Sequence, residues 1–177
     1  AEVSSKISEG EFLQLSNEQN INIKLEEYIN IISLKTAELF GAAMKIPAIL
    51  TNKNIKIVNQ LNTLGINYGI IFQIIDDNLD YFGDKKTGKS IGQDFFEGKI
   101  TLPIIILLKK AKNDEKEKIK IIFKKIKRTK NDFKNLILLL KKYKIEMECI
   151  NYAEKISIKS FKILNKFQNK QSELFKE

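Results

Sequence analysis

Histidine and tryptophan are absent from these 177 residues, and cysteine occurs once, at Cys149. Without His there is no Ser-His or Cys-His triad, and the commonest general base is missing. A single thiol forms no internal disulfide and no multi-cysteine zinc site. Chemistry must rest on carboxylates, lysines, hydroxyls or a bound ion. Proline occurs twice and glycine eight times, so long helices can run unbroken. No apolar run approaches the roughly 20 residues of a membrane span. The opening Ala1-Glu2-Val3-Ser4-Ser5-Lys6 has no apolar signal core. These absences set the expectation of a soluble, cytoplasmic chain with no integral membrane segment.

Lysine, isoleucine and asparagine fill the space that other residues leave. Hydrophobic content is 43% and net charge +9. A basic balance fits nucleic acid, an acidic membrane or a phosphorylated ligand. The lysines are spread along the chain without interleaved aromatics, so we expect no nucleic-acid partner.

Apolar spacing predicts helices throughout and no strand. A short helix is expected over Ile7–Glu18 and a longer one from Asn22 to about Lys45, with Leu25, Ile29, Ile32 and Phe40 as its stripe and Tyr28 and Leu39 beside it. Pro47 is expected to stop that helix. Asn54–Phe82 reads as a long helix containing Gly65 and Gly69 one turn apart, which suggests close helix packing or room for a ligand. Residues 83–100 read as a loop rich in glycine and lysine. Thr101 offers an N-cap and Pro103 fits the first turn of a buried helix to Ala111. Asp114 is expected to cap a helix to about Lys127, and Asp132–Lys144 to form another. Glu146–Phe167 should be the last full helix, with Tyr152, Ile156, Ile163 and Phe167 on its core face.

Asp76, Asp77 and Asp80 close the long helix. Positions 76 and 80 share a face, Gln73 and Gly69 extend it, and Asp77 flanks it about 100° around. Stability alone argues against this arrangement. Like charges one turn apart repel, and the helix C-terminus is the negative end of the dipole. Hard oxygen ligands suit Mg²⁺, which takes one or two carboxylates and completes its shell with water and phosphate. The adjoining loop, with Lys85, Lys86, Lys89 and Lys99, supplies cations and backbone N–H groups for phosphate. On these residues alone two readings stay open: a metal–diphosphate site, or a solvated acidic helix end followed by an ordinary basic loop.

Gly83 to Ser90 also matches G-x-x-x-x-G-K-[ST]. A P-loop must follow a buried strand and open a helix. Here a helical pattern precedes it, Ile91-Gly92-Gln93-Asp94 starts no convincing helix, and βαβ alternation is missing. The match is read as a decoy.

Five segments together resemble the trans-prenyl diphosphate synthases, most closely the octaprenyl or polyprenyl branch. The run from Gly69 to Asp84, GIIFQIIDDNLDYFGD, carries an Asp76-Asp77-x-x-Asp80 that resembles the family's second aspartate-rich motif. It is followed by Thr87–Asp94 and Glu97–Pro103. Upstream, Ile7–Leu15 is similar to the E-G-E-x-x-Q segment, and Lys35-Thr36 to the K-T pair. The resemblance implies an all-α bundle of long, mostly antiparallel helices around a central cavity. It implies Mg²⁺ held by Asp76 and Asp80 with Asp77 in support, and Asp94 acting through the ion's water shell. Lys35, Thr36, Gln73, Lys89 and Lys99 would be diphosphate-binding or catalytic, with Lys99 orienting the loop. Read alone, Gln14 is equally a core hydrogen-bonding residue, Lys35 a surface lysine and Lys99 a loop cation. The implied reaction ionises an allylic prenyl diphosphate and joins it to isopentenyl diphosphate, with a tunnel shaped partly by Gly65 and Gly69.

The family's first aspartate-rich motif has no counterpart here. We therefore expect residues 1–177 to be a single all-α domain and the C-terminal half of a longer synthase, inactive alone. We expect it to pair as a homodimer or to associate with its missing half. Ser172–Glu177 resembles the start of a further helix. The competing expectation is a non-catalytic, synthase-like subunit of a heteromer.

Overall fold

The structure is a computed structural model, and it describes residues 2–83 and 91–167. Among these residues the chain is helical, without strands. In order come α1 (Glu2–Ser16), α2 (Leu25–Ile32), a π-helical turn (Ser33–Ala37), α3 (Glu38–Leu50), α4 (Ile55–Phe82) and α5 (Gln93–Glu97). Then follow α6 (Leu102–Lys110), α7 (Asn113–Lys124), α8 (Lys130–Lys142) and α9 (Ile145–Leu164), with a 3₁₀ turn over Asn165–Phe167. Lys85, Lys86 and Lys89 of the loop, and the helix start expected at Ser172, lie outside the described residues.

α4 is the axis of the molecule, 28 residues long and therefore about 42 Å. Asn54 starts it by accepting the Ile57 N–H at 3.0 Å, as an N-cap should. The antiparallel α3, the π turn, α9 and α6 pack against it. The core joins Ile70 and Ile74 of α4 to Ile32 of α2 and to Leu102, Ile104 and Leu107 of α6. From the later helices it takes Phe123, Leu136, Leu140 and Ile145. α6 is buried along most of its length, as its composition predicts.

Several local expectations are corrected. The first helix begins at Glu2, and the second at Leu25 with an interruption over Ser33–Ala37. Pro47 lies inside α3, which continues to Leu50. The hydrogen bond that proline forfeits would have gone to the exposed Ala43 carbonyl, where water can replace it. The Pro47 carbonyl still accepts the Thr51 N–H at 3.0 Å. Gln93–Glu97 is helical after all, a single turn between Gly92 and Gly98. Asp114 sits in the first turn of α7 but does not cap it; Glu115 accepts the Lys112 N–H at 3.3 Å instead. On α9 the most buried residues are Ile145, Cys149 and Ala153, with Tyr152 and Ile156 beside them. The expected central cavity is an open groove along α4, because no described element covers its outer face.

Gly65 and Gly69 settle the packing-or-ligand question for their face of α4. A Cβ at Gly65 would lie 2.3 Å from the Phe40 carbonyl oxygen, and one at Gly69 would lie 2.5 Å from Ala37 Cα. α3 and the π turn cross α4 in contact there, so these glycines shape no tunnel.

Candidate functional site

α2, the π turn and the C-terminal half of α4 converge around one buried carboxylate. Asp77, expected only to flank the site, is 4% exposed. Its two oxygens accept from Tyr28 Oη at 2.7 Å and from Gln73 Nε2 at 2.8 Å. Gln73 in turn accepts from Thr36 Oγ1 at 2.8 Å. The chain Thr36, Gln73, Asp77, Tyr28 thus fixes four side chains from three segments. Gln73 leans to Asp77, one turn away.

Lys35 is seated by α1. Its ammonium donates to Gln14 Oε1 at 2.6 Å and lies 3.6 Å from Glu11. A Cβ at Gly10 would meet the Lys35 backbone nitrogen at 2.3 Å. Gly10 lets α1 touch the π turn, while Glu11 and Gln14 hold the lysine. The E-G-E-x-x-Q spacing is therefore a docking device for Lys35.

Asp80 receives the backbone N–H groups of Gln93 and Asp94, at 3.0 and 3.1 Å. It ties the end of α4 to the turn that carries Asp94. Lys99 bridges Asp94 at 3.4 Å and Glu97 at 2.6 Å. Asp76 lies one turn before Asp80 on the same face of α4. With Tyr68, Ile71, Phe72, Ile75 and Leu79 it lines an otherwise apolar groove of ≈ 240 Å³. Lys89 lies outside the described residues.

The electrostatics are those of carboxylates short of compensation. Burial, then the charge of Asp94, pushes Asp77 up to about 7 against the donors Tyr28 and Gln73 and the charge of Lys35. Burial and Asp94 likewise push Asp80 up to about 6, against the N–H groups of Asp94 and Gln93. Asp94 is raised by burial, with Lys99 opposing. Lys99 is held above its ordinary value by Glu97 and Asp94, although burial acts the other way. Cys149, pushed up to about 12 by burial, is no nucleophile.

Tyr28 is the member that sequence reasoning placed in the core without a role. Its signal was slight: a phenol in an apolar stripe, seven residues before Lys35.

The model of the family described as polyprenyl synthetase matches residues 1–140. The chain belongs to the polyprenyl synthetase family. As a polyprenyl synthetase it is 36% identical over 168 residues to the geranylgeranyl diphosphate synthase of Sulfolobus acidocaldarius, covering 93% of this chain and 50% of that protein. It is 42% identical over 106 residues to the octaprenyl diphosphate synthase of Escherichia coli, covering 59% of this chain and 33% of that one. Among solved structures it superposes on a polyprenyl synthase from Caulobacter crescentus, complexed with calcium and isoprenyl diphosphate. The TM-score is 0.88 at 33% identity, over 93% of this chain and 51% of that one. The chain thus spans about half the length, or less, of these relatives. The P-loop reading finds no support in this family fold: α4 is helical to Phe82, and no strand occurs among the described residues.

Proposed function

We propose that this polyprenyl synthetase chain forms the metal- and diphosphate-binding part of a prenyltransferase. The enzyme would condense an allylic prenyl diphosphate with isopentenyl diphosphate, head to tail. The observation that carries this reading is the meeting of Asp77, Asp80 and Asp94 beside Lys35 and Lys99, with two of the three carboxyls pushed up to about 7 and about 6. Lys35 and Lys99 offset these carboxyls only in part, and a bound cation would complete the compensation.

A hard dication fits this donor set, and Mg²⁺ suits oxygen ligands of this kind. No three carboxyls among the described residues cluster tightly enough to hold an ion by themselves. The fit is therefore to an ion held by one or two carboxylates, with water and phosphate oxygens completing its shell. Asp76 and Asp80 would hold it, with Asp77 in support and Asp94 close by. When bound, Mg²⁺ supplies positive charge against the diphosphate.

The chain's own residues would then divide the work. Lys35, seated by Gln14 and Glu11, presents a fixed positive charge to the leaving diphosphate. Thr36 and Gln73 hold the neighbouring polar edge in one orientation through Asp77. Lys89 would contact the diphosphate directly, and Lys99 would set the turn that carries Asp94. The groove from Tyr68 to Leu79, apolar apart from Asp76, would suit a hydrocarbon tail with a charged head. Its walls would keep water from the reacting carbons. The remaining surfaces would meet a second copy or the complementary half of the enzyme.

Isothermal titration of the chain with inorganic pyrophosphate tests the site directly. Binding that requires Mg²⁺ and is lost in Asp80→Ala supports the reading, and binding indifferent to both defeats it. Joining the chain to the segment its relatives carry upstream tests the reaction. Condensation should then appear and should vanish with Asp76→Ala.

A further inference from the structure

The positive charge of this chain is not spread evenly. Residues 118–144 contain eleven Lys or Arg and one Asp, a net charge of +10 against +9 for the whole chain. The other 150 residues, with 20 basic and 21 acidic side chains, are net −1. Lysine is abundant elsewhere too, but there acids balance it. A taste for lysine in the composition does not explain the excess here.

That segment makes up most of the α7–α8 hairpin, which is pinned at both ends; with the acidic first turn of α7 included, residues 113–144 hold twelve basic and four acidic side chains, still net +8. Lys125 meets Asp132 at 2.6 Å beside the turn, and Lys142 meets Glu115 at 2.6 Å at the far end. Tyr143 Oη also donates to Glu115. Ile119, Ile122, Phe123, Leu136 and Leu140 face the core. The opposite stripes are exposed: Asp114, Glu117, Lys118, Ile121 and Lys124 on α7, and Lys134, Leu138, Lys141 and Lys142 on α8. Each stripe has lysines flanking one aliphatic residue, with Ile121 60% and Leu138 67% exposed. The turn between the helices projects Ile126, 93% exposed, with Lys125 and Lys127 on either side.

We propose that this face docks on an anionic lipid surface. Lysines would lie against the headgroups, while Ile126, Ile121 and Leu138 enter the headgroup–acyl boundary. The alternative partner for such charge is nucleic acid, and the chemistry of the face disfavours it. Binding of single strands draws on stacking aromatics and arginine planes. Here Phe123 is fully buried, Phe133 packs on Phe95, and Arg128 is buried, donating to the carbonyls of Phe123, Lys125 and Phe96. Lysines and aliphatics dominate this face. The inference rests on charge and exposure alone and is independent of the reaction proposed above.

The test is co-sedimentation of the full chain with vesicles of phosphatidylcholine, with and without phosphatidylglycerol, over a range of salt. Binding should require phosphatidylglycerol and weaken as salt rises. Each lysine removed should cost roughly fivefold in partitioning. The variant with Lys118→Gln, Lys124→Gln, Lys134→Gln and Lys141→Gln should therefore lose on the order of a hundredfold or more. Ile126→Ser should weaken the component that resists salt. A control with Lys53→Gln, Lys56→Gln, Lys155→Gln and Lys159→Gln, exposed lysines elsewhere, should bind as the parent does. All of these replacements are at exposed positions, and circular dichroism verifies their folding. Three results overturn the proposal: equal binding to pure phosphatidylcholine, equal loss in the control, or tighter binding to duplex or single-stranded nucleic acid at the same salt.

Discussion

Asp77 is the residue on which the site's physics turns. Its carboxyl is pushed up to about 7 and that of Asp80 to about 6, against about 4 in an unfolded chain. A group with a raised folded-state pKa holds its proton longer when folded, so it favours folding at low pH. That advantage is lost as pH rises from about 4 through 6 and 7. A bound dication removes the need for the proton. Mg²⁺ should therefore raise the melting temperature more at about pH 8 than at about pH 5, and its uptake near pH 6 should release protons. Thermal melts and calorimetry in two buffers of different ionisation enthalpy read both effects, and equal shifts at both pH values would count against carboxylate ligation. Tyr28→Phe probes the same group from the protein side. It removes the 2.7 Å donor to a buried carboxylate, which should cost about 1.5–3 kcal/mol in urea unfolding at about pH 8. The cost should shrink at about pH 5, where Asp77 is largely protonated. A loss that does not vary with pH would mean that the phenol merely fills space.

Elements meet here by backbone approach more than by side-chain interlocking. At the crossing of α3 and α4, a Cβ on Gly65 would lie 2.3 Å from the Phe40 carbonyl oxygen and 2.7 Å from Gly41 Cα. Both obstacles are backbone and cannot swing aside. Gly65→Ala gains about 1 kcal/mol of helix propensity, but overpacking costs about 1–3 kcal/mol or more. Net destabilisation is expected, whereas Asn59→Ala at an exposed position of α4 should stay within about 0.5 kcal/mol. Paired urea melts decide it, and a stabilised Gly65→Ala would disprove the close crossing. The same crossings mark where the sequence could be read and where it could not. α4, its Asn54 cap and the buried α6 follow from local pattern. So does the pairing of carboxylates with lysines, because residue types and order carry it. The π turn does not, since it is imposed by Gly10 from one side and Gly69 from the other, 59 residues apart in sequence. The burial of Asp77 is equally non-local. A helical wheel assigns it an angle, but only the arrival of Tyr28 shows that this angle points inward. Gln93–Glu97 is too short to show a period, and Pro47 was misread because its lost hydrogen bond falls on the wet side of α3.

At the scale of the whole molecule, one group of apolar side chains has no described element over it. Leu39, Ile46, Ile49 and Leu50 of α3 are at least half exposed, as are Tyr68 and Phe72 of α4 and Phe12 and Leu15 of α1. Stable monomers rarely leave contiguous apolar patches beyond a few hundred Å² open to water. The relatives in which this fold is embedded are about twice as long, with 50% of the Sulfolobus protein matched. In isolation the chain should therefore associate through this side. Sedimentation velocity should give species heavier than 20.5 kDa, growing with concentration, and a hydrophobic dye should bind. Ile46→Glu with Leu50→Glu should shift the population toward monomer, because neither side chain is buried in the chain itself and charge there opposes only intermolecular burial. The lysine hairpin should oppose this equilibrium rather than drive it, since like charge on two copies repels and salt screens the repulsion. Raising salt should therefore strengthen self-association through the apolar side even as it weakens adsorption to anionic lipid. Opposite responses to one variable separate the two surfaces in a single series of measurements. If both weaken with salt, the self-association is electrostatic, and the apolar side is not what drives it.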